Sequence, residues 1–326
     1  MKILFFESQK VWKKDIYTKH LRNHDLVFLK ESIQDADLTR HADADVIVCF
    51  VFSDASKKYL ENFSDLKLIA TESTGYDHID LGYCKNNDIT VCNVPDYGER
   101  TVAEFAMGLM LSISRKIPRA VMKTKKHVQD RVGLRGNDLY SKKVGVIGTG
   151  SIGRNMIRLC NGLDMDVLAY DVYPKKDYEE SLGFTYVDLQ TIFEECSYIT
   201  LHVPLLESTK HMLGEKQFLA MKKQPYIINT SRGGVIDTVA LRDALQKGLL
   251  KGVALDVFEE QEEYMSDTFS NETLKKAIHD LLEHENVVIT PHLAFNSEEA
   301  VKRIYESTAK SILEFAQDKQ VINELR

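Results

Sequence analysis

Short apolar runs alternate with longer charged stretches through the N-terminal part of the chain. Residues 3–6, 46–51, 68–70 and 89–94 are each too short for a helix, rich in Ile, Val and Phe, and bounded by polar or turn residues. That pattern predicts buried strands of a parallel sheet. Residues 56–63, between two of these runs, have helical composition, and such alternation predicts an α/β layer. The period then changes. Val102, Phe105, Ala106, Leu109, Met110 and Ile113 recur at helical spacing, Thr101 and Glu104 have the spacing of a capping box, and Pro118 is expected to limit the helix. A second series of apolar runs covers residues 144–147, 167–170, 198–203, 226–229, 253–255 and 287–289, which predicts a larger doubly wound sheet. Residues 296–315 return to helical spacing through Val301, Ile304, Tyr305, Thr308 and Ile312.

At 326 residues the chain exceeds what one core usually organises, so two domains are expected. The net charge of −7 argues against a nucleic-acid partner, because phosphate binding needs clustered Lys and Arg. The basic run from Lys123 to His127 reads as a solvated helix face. Cys49, Cys84, Cys92, Cys160 and Cys196 show no CxxC pairing, so neither a metal nor a disulfide is expected. Buried thiols in a reducing compartment fit better. The opening MKILFFES is too short for a signal peptide, and no apolar run reaches the roughly 18 residues of a membrane helix. The expectation is a cytoplasmic protein without a membrane partner.

Chemistry enters at residues 143–153, KVGVIGTGSIG, where an apolar strand runs into Gly148-x-Gly150-x-x-Gly153 and residues 155–163 are helix-compatible. Gly148 permits the tight turn, Gly150 lets the backbone approach a pyrophosphate, and Gly153 lets helix and strand pack closely. The N–H groups near Ser151 and Ile152 would face the phosphates at the positive end of the helix dipole. Asp171 ends the next strand, 18 residues past the last glycine, where a carboxylate can accept from a ribose diol. It would repel a 2′-phosphate, so NAD is expected over NADP, although Lys175 and Lys176 stand nearby.

Further along, Ser73-Thr74-Gly75-Tyr76-Asp77-His78-Ile79-Asp80, Asn93-Val94-Pro95-Asp96-Tyr97-Gly98 leading to Val102-Ala103-Glu104, and His202-Val203-Pro204-Leu205 with Thr209 stand in order. Ile228-Asn229-Thr230-Ser231-Arg232-Gly233-Gly234, Ala254-Leu255-Asp256-Val257-Phe258 and Thr290-Pro291-His292 follow. Together these resemble the signatures of the D-isomer-specific 2-hydroxyacid dehydrogenase family, the D-lactate dehydrogenase branch in particular. The resemblance implies an α/β fold of two doubly wound parallel-sheet domains. A Rossmann nucleotide domain (99–296) would be inserted into a flavodoxin-like substrate domain (1–98 and 297–326), and the chain would form a homodimer. It implies cofactor contacts from His202, Val203, Pro204, Thr209, Thr230 and Ser231, with Asp256 near the nicotinamide ribose.

Reducing a 2-keto acid requires a carboxylate anchor, a polarised ketone and a proton for the developing alkoxide. Arg232 can serve the first two through its charged fork, and the backbone amides of Thr74 and Gly75 match the family loop that holds the other carboxylate oxygen. His292, in the family's position, is the candidate proton donor. Phe50, Phe52 and Tyr97 are candidates for the wall facing the substrate's R group, and aromatic walls suit a small apolar group such as the methyl of pyruvate.

One position departs from the family. Its glutamate partner of the histidine, 29 residues after the arginine and five after the aspartate, is here Gln261. Three readings stand open: Gln261 substitutes directly and lowers the histidine pKa, a local bulge brings in Glu260 or Glu262, or the chemistry is lost or altered, as in formate dehydrogenases of the same superfamily. The expected function is NAD-dependent reduction of a small 2-keto acid such as pyruvate. The alternatives are a formate-type dehydrogenase and a non-catalytic NAD(H)-sensing interaction protein.

Overall fold

The computed structural model describes residues 1–8, 11–261, 264 and 269–325. Contacts divide the chain into two compact units, Met1–Tyr97 with Ser297–Arg326, and Gly98–Asn296.

The first unit holds five parallel strands, β1 (Lys2–Phe5), β2 (Asp25–Phe28), β3 (Val46–Cys49), β4 (Leu68–Thr71) and β5 (Thr90–Cys92), in the order β2-β1-β3-β4-β5. Successive side chains of a strand point to opposite faces. Leu4, Phe6, Ile47, Cys49, Ile69 and Val91 therefore enter one apolar core. Phe5 faces the other way and meets Tyr17 of helix Val11–His20 at 4.4 Å between ring centroids, and Tyr17 in turn meets Tyr305 of helix Glu298–Ala316. The C-terminal segment then covers the β5 edge, with Leu325 N–H donating to the Val91 carbonyl. A covered edge offers no template for unwanted strand pairing.

The second unit has seven parallel strands: β6 (Lys143–Ile147), β7 (Asp166–Tyr170), β8 (Thr185–Tyr186), β9 (Tyr198–Leu201), β10 (Tyr226–Asn229), β11 (Gly252–Leu255) and β12 (Val287–Ile289). Their order is β12-β11-β10-β9-β6-β7-β8. The chain runs outward from β6 through β8, then returns to β6's other flank with β9. The reversal opens a crevice at the carboxyl ends of β6 and β9, where open α/β sheets bind ligands. Val144, Val146, Val167 and Ala169 pack one face under helices Glu99–Ser114 and Ser151–Asn161, while Ile147, Ile199, Leu201, Ile227 and Val253 pack the other.

Some local expectations are corrected. The helix carrying Thr101 begins at Glu99 with Gly98 as its N-cap, because Val102 N–H already bonds the Gly98 carbonyl. Thr101 and Glu104 therefore lie inside the helix rather than forming its capping box, and Glu104 pairs with Arg100 at 2.8 Å. Pro118 does not end this helix, which stops at Ser114. It sits in the first turn of the next helix, Ile117–Lys125, where a missing N–H removes no intrahelical bond. Strands β2 and β8 were not expected from the pattern. Among the described residues no helix is long and apolar enough to cross a membrane.

Candidate active site

The glycine turn follows directly from β6. Gly148 has φ +96°, and a Cβ there would lie 2.4 Å from the His202 carbonyl oxygen, so only glycine lets β6 and β9 approach this closely. Gly153 is equally constrained: a Cβ would sit 1.9 Å from the Gly148 carbonyl. Gly150 differs, since a Cβ there meets nothing within 4 Å. Its lack of a side chain therefore serves something other than internal packing. Helix Ser151–Asn161 starts immediately after it, which aims the first amides of Ser151 and Ile152 at the same crevice.

Asp171 lies just past β7, across from this turn. Its Oδ2 accepts from Thr149 N–H (2.7 Å) and Thr149 Oγ1 (2.9 Å), and its Oδ1 from Tyr173 N–H (2.9 Å). Burial alone would raise its pKa, but these hydrogen bonds prevail and hold it below the usual carboxylate value. Thr149 occupies a variable position of the glycine motif, so spacing alone did not single it out. Exposed apolar side chains flank the turn on both sides, Val172 and Tyr173 after β7, Leu205 and Leu206 after β9. Leu205 belongs to the His202–Leu205 run already singled out in the sequence. Val172, Tyr173 and Leu206 carry no such signal, because loop hydrophobics look unremarkable until the sheet order places them around one crevice.

On the β9 side, His202 hydrogen-bonds Thr200 Oγ1 at 2.9 Å, and burial pushes its pKa down to about 4, so it is neutral near pH 7. Val203 and Pro204 continue that loop, and Thr209 Oγ1 closes it by donating to the Pro204 carbonyl at 2.6 Å. At the end of β10 the buried Thr230 Oγ1 has no hydrogen-bond partner among the described residues. A buried polar atom without a partner is expected to find one in a ligand or water. An open glycine turn, an ionised carboxylate and an unsatisfied hydroxyl at one crevice fit a dinucleotide.

Arg232, Asp256 and His292 follow β10, β11 and β12, which are neighbours in the sheet. Asn229 shapes the arginine's turn: its side chain donates to the Arg232 carbonyl and accepts from Ser231 N–H and Oγ. Asp256 is fully buried and accepts from Leu293 N–H and Ala294 N–H at 2.8 Å and from Thr290 Oγ1. It thereby ties down the turn bearing His292, whose own φ is +54°. Burial lowers the His292 pKa, the Asp256 charge opposes this, and Arg232 adds to it, for a net value below the ordinary one.

Gln261 takes another contact. Its Oε1 accepts from Phe258 N–H at 3.4 Å, so the side chain folds back on its own turn. Glu260 beside it is exposed, with φ +48°, and Glu262 lies outside the described residues.

In the first unit, Thr74 and Gly75 follow β4 at the carboxyl end of that sheet. Thr74 Oγ1 donates to the Val94 carbonyl, Asn93 Nδ2 to the Thr74 carbonyl and Ser73 Oγ to the Gly75 carbonyl, so these bonds shape the loop through its side chains and carbonyls. Phe50 and Phe52 pack edge to face at 5.4 Å beyond β3, and Phe52 is 46% exposed. Tyr97 ends this unit, and its carbonyl accepts from Arg303 Nε.

The model of the family described as "D-isomer specific 2-hydroxyacid dehydrogenase, NAD binding domain" matches residues 107–294. The chain is 35% identical over 320 residues to 2-hydroxyacid dehydrogenase homolog 2 of Schizosaccharomyces pombe, covering 97% of this chain and 96% of that one. It is 36% identical over 284 residues to D-lactate dehydrogenase of Escherichia coli, 86% of each. Among solved structures, D-lactate dehydrogenase from Aquifex aeolicus, complexed with NAD and lactic acid, matches with a TM-score of 0.88 and 32% identity, over 97% of this chain and 96% of that one. With this agreement across nearly its whole length, the chain belongs to the D-isomer-specific 2-hydroxyacid dehydrogenases and is an NAD-dependent oxidoreductase acting on CH–OH groups.

Proposed function

We propose that this enzyme reduces a small 2-keto acid, pyruvate foremost, to the D-2-hydroxy acid. The observation that supports this most is the convergence of Arg232, Asp256 and His292 on adjacent strand ends of the nucleotide unit. When bound, NADH would supply the hydride; Gly148, Gly150, Ser151, Ile152 and Gly153 would line its pyrophosphate and Asp171 would hold the adenosine ribose. Thr230, Ser231 and Asp256 would hold the nicotinamide half, and the loop from His202 to Thr209 the adenosine half. Arg232 binds the substrate carboxylate and polarises the ketone through its fork. His292 gives its proton to the forming alkoxide, and Gln261, at the sequence position of the family's carboxylate, would reach that imidazole only by leaving its contact with Phe258 N–H. Thr74 and Gly75 amides take the other carboxylate oxygen, and Phe50, Phe52 and Tyr97 enclose the R group. The enzyme acts as a homodimer. Five buried free thiols, three of them pushed up to about 12 by burial, suit a reducing cytoplasm.

The test is NADH oxidation with a panel of 2-keto acids of increasing R-group size, glyoxylate and pyruvate included, with chiral analysis of the product. Pyruvate is expected to give the highest kcat/KM and a D product. NADH should be preferred over NADPH by about tenfold or more, some 1.4 kcal/mol. Turnover of formate with no keto-acid reduction would overturn the reading, and so would cofactor binding with no turnover at all.

A further inference from the structure

His211 and Glu259 lie 48 positions apart in sequence, yet His211 Nε2 and Glu259 Oε1 approach to 2.5 Å. The other carboxylate oxygen, Oε2, accepts from Thr238 N–H at 2.8 Å. Asp237 caps helix Thr238–Gln246 by accepting from Ala240 N–H, and Glu259 satisfies the separate first-turn amide of Thr238. Glu259 thus ties the start of that helix to a histidine from another loop.

The three segments it joins are in close register. His211 N–H donates to the Gly234 carbonyl at 2.8 Å, and Asp237 N–H donates to the Leu213 carbonyl at 3.0 Å, so the loop after β9 runs along the turn that follows Arg232. A Cβ on Gly234 would approach Leu205 to 3.2 Å. A Cβ on Gly233, the residue next to the arginine, would lie 2.1 Å from the Phe258 carbonyl and 2.6 Å from Glu259 N. With no side chain between them, a displacement of the Phe258–Glu259 backbone passes directly into the arginine's turn.

We propose that the His211–Glu259 pair is a positioning clasp that couples the loop after β9 to the turn carrying Arg232. Opening the clasp then weakens cofactor binding and the grip on the keto acid together. The inference rests on the roles proposed above for that loop and for Arg232. Neither residue is among those assigned to the reacting atoms. Both act through the backbone of residues that are.

A double-mutant cycle read by binding tests it. NADH is titrated into wild type, Glu259→Ala, His211→Ala and the double variant by fluorescence, and oxamate, an unreduced pyruvate analogue, is titrated into each NADH complex. Thermal melting confirms that each variant is folded. Each single change should weaken both affinities by about tenfold or more, and the double variant should be no weaker than Glu259→Ala, which already loses the histidine contact along with the Thr238 bond. Glu259→Gln keeps one carbonyl oxygen to accept from Thr238 N–H and offers its NH2 to His211 Nε2 when that nitrogen is unprotonated, so it should stay within about threefold of wild type. Additive losses would overturn the clasp, as would a loss confined to NADH or no loss at all. A non-additive cycle in an enzyme that turns over no 2-keto acid would support the clasp while overturning the functional reading.

Discussion

His292 takes its electrostatic environment from burial and from two opposite charges at neighbouring strand ends. Burial lowers its pKa, Asp256 raises it, Arg232 lowers it again, and the net direction is downward. Ketone reduction needs the imidazolium, so the rate should begin to fall at a lower pH than in relatives with a carboxylate at position 261. Gln261→Glu should move that limb of the kcat/KM profile towards alkaline pH, because a nearby anion favours the protonated ring. An unmoved limb would show that position 261 does not face the histidine. Glu7 gives a second residue-level prediction, this time for stability. Its Oε2 accepts from Phe50 N–H at 2.7 Å, while Oε1 is buried with no hydrogen-bond partner among the described residues. Burial raises its pKa to about 7 from 4.5; the Phe50 amide opposes this, the nearby Glu72 charge adds to it, and Ser53 and Lys13 counter only in part. Between those values the folded state holds more protons than the unfolded one, so Glu7's contribution is lost as pH rises from about 4.5 through 7. The loss is complete by pH 8 and of order ~3 kcal/mol. Glu7→Gln keeps the acceptor for Phe50 and removes the titration, so urea unfolding at pH 8 should show the variant more stable than wild type, with the gap closing towards pH 5. Parallel pH dependence of the two proteins would rule this out.

At the scale of elements, the crevice between β6 and β9 separates what the fold needs from what the ligand needs. Gly148→Ala places a methyl 2.4 Å from the His202 carbonyl at φ +96°. It should destabilise the unit by about 1–3 kcal/mol, visible as a lower Tm. Gly150→Ala meets nothing within 4 Å of its new methyl. Its Tm should hold or rise slightly, while NADH affinity falls by about tenfold because the methyl stands where the pyrophosphate approaches. An unchanged NADH affinity in that variant would remove Gly150 from the cofactor path. The apolar strands on either side of this crevice were legible as short runs because they are buried on both faces and carry no alternation to confuse with a helix. The edge strands were not. Asp25–Phe28 is only half-buried, and Thr185–Tyr186 is two residues long, so neither has a hydrophobic signature of its own. Pro118 misled for a local reason, since a proline reads equally well as a helix stop or a first-turn residue, and only the left-handed Lys116 before it decides which. The glycines, Asp171, Arg232 and His292 were visible as motifs. The contacts of Glu259, Asn229 and Thr149 were not, since they depend on which loops the sheet order brings side by side.

For the whole molecule, the question is what covers the apolar surface of the nucleotide unit. Helix Ile117–Lys125 buries none of its residues, and Ile117, Val121 and Met122 are each about half exposed, at 47%, 46% and 51%. The segment that follows adds Val128, Val132 and Tyr140, of which Val132 is 78% exposed. Isolated exposed hydrophobics are ordinary, but a run of them on one helix and its extension marks an interaction surface. Ile117 and Val121 stand four residues apart and share a helix face, so a second copy of this chain could bury both at once. The homodimer proposed above therefore predicts a solution mass near twice the chain's 37.2 kDa at micromolar concentration. Ile117→Asp with Val121→Asp puts two carboxylates on that face, and an unpaired charge buried in an interface is strongly unfavourable. Because both positions are exposed within the chain, the variant should keep its helical circular dichroism and its NADH affinity while its mass by light scattering falls to that of one chain. A wild-type protein that is already monomeric, or a doubly substituted one that remains dimeric, would place the dimer contact elsewhere or remove it.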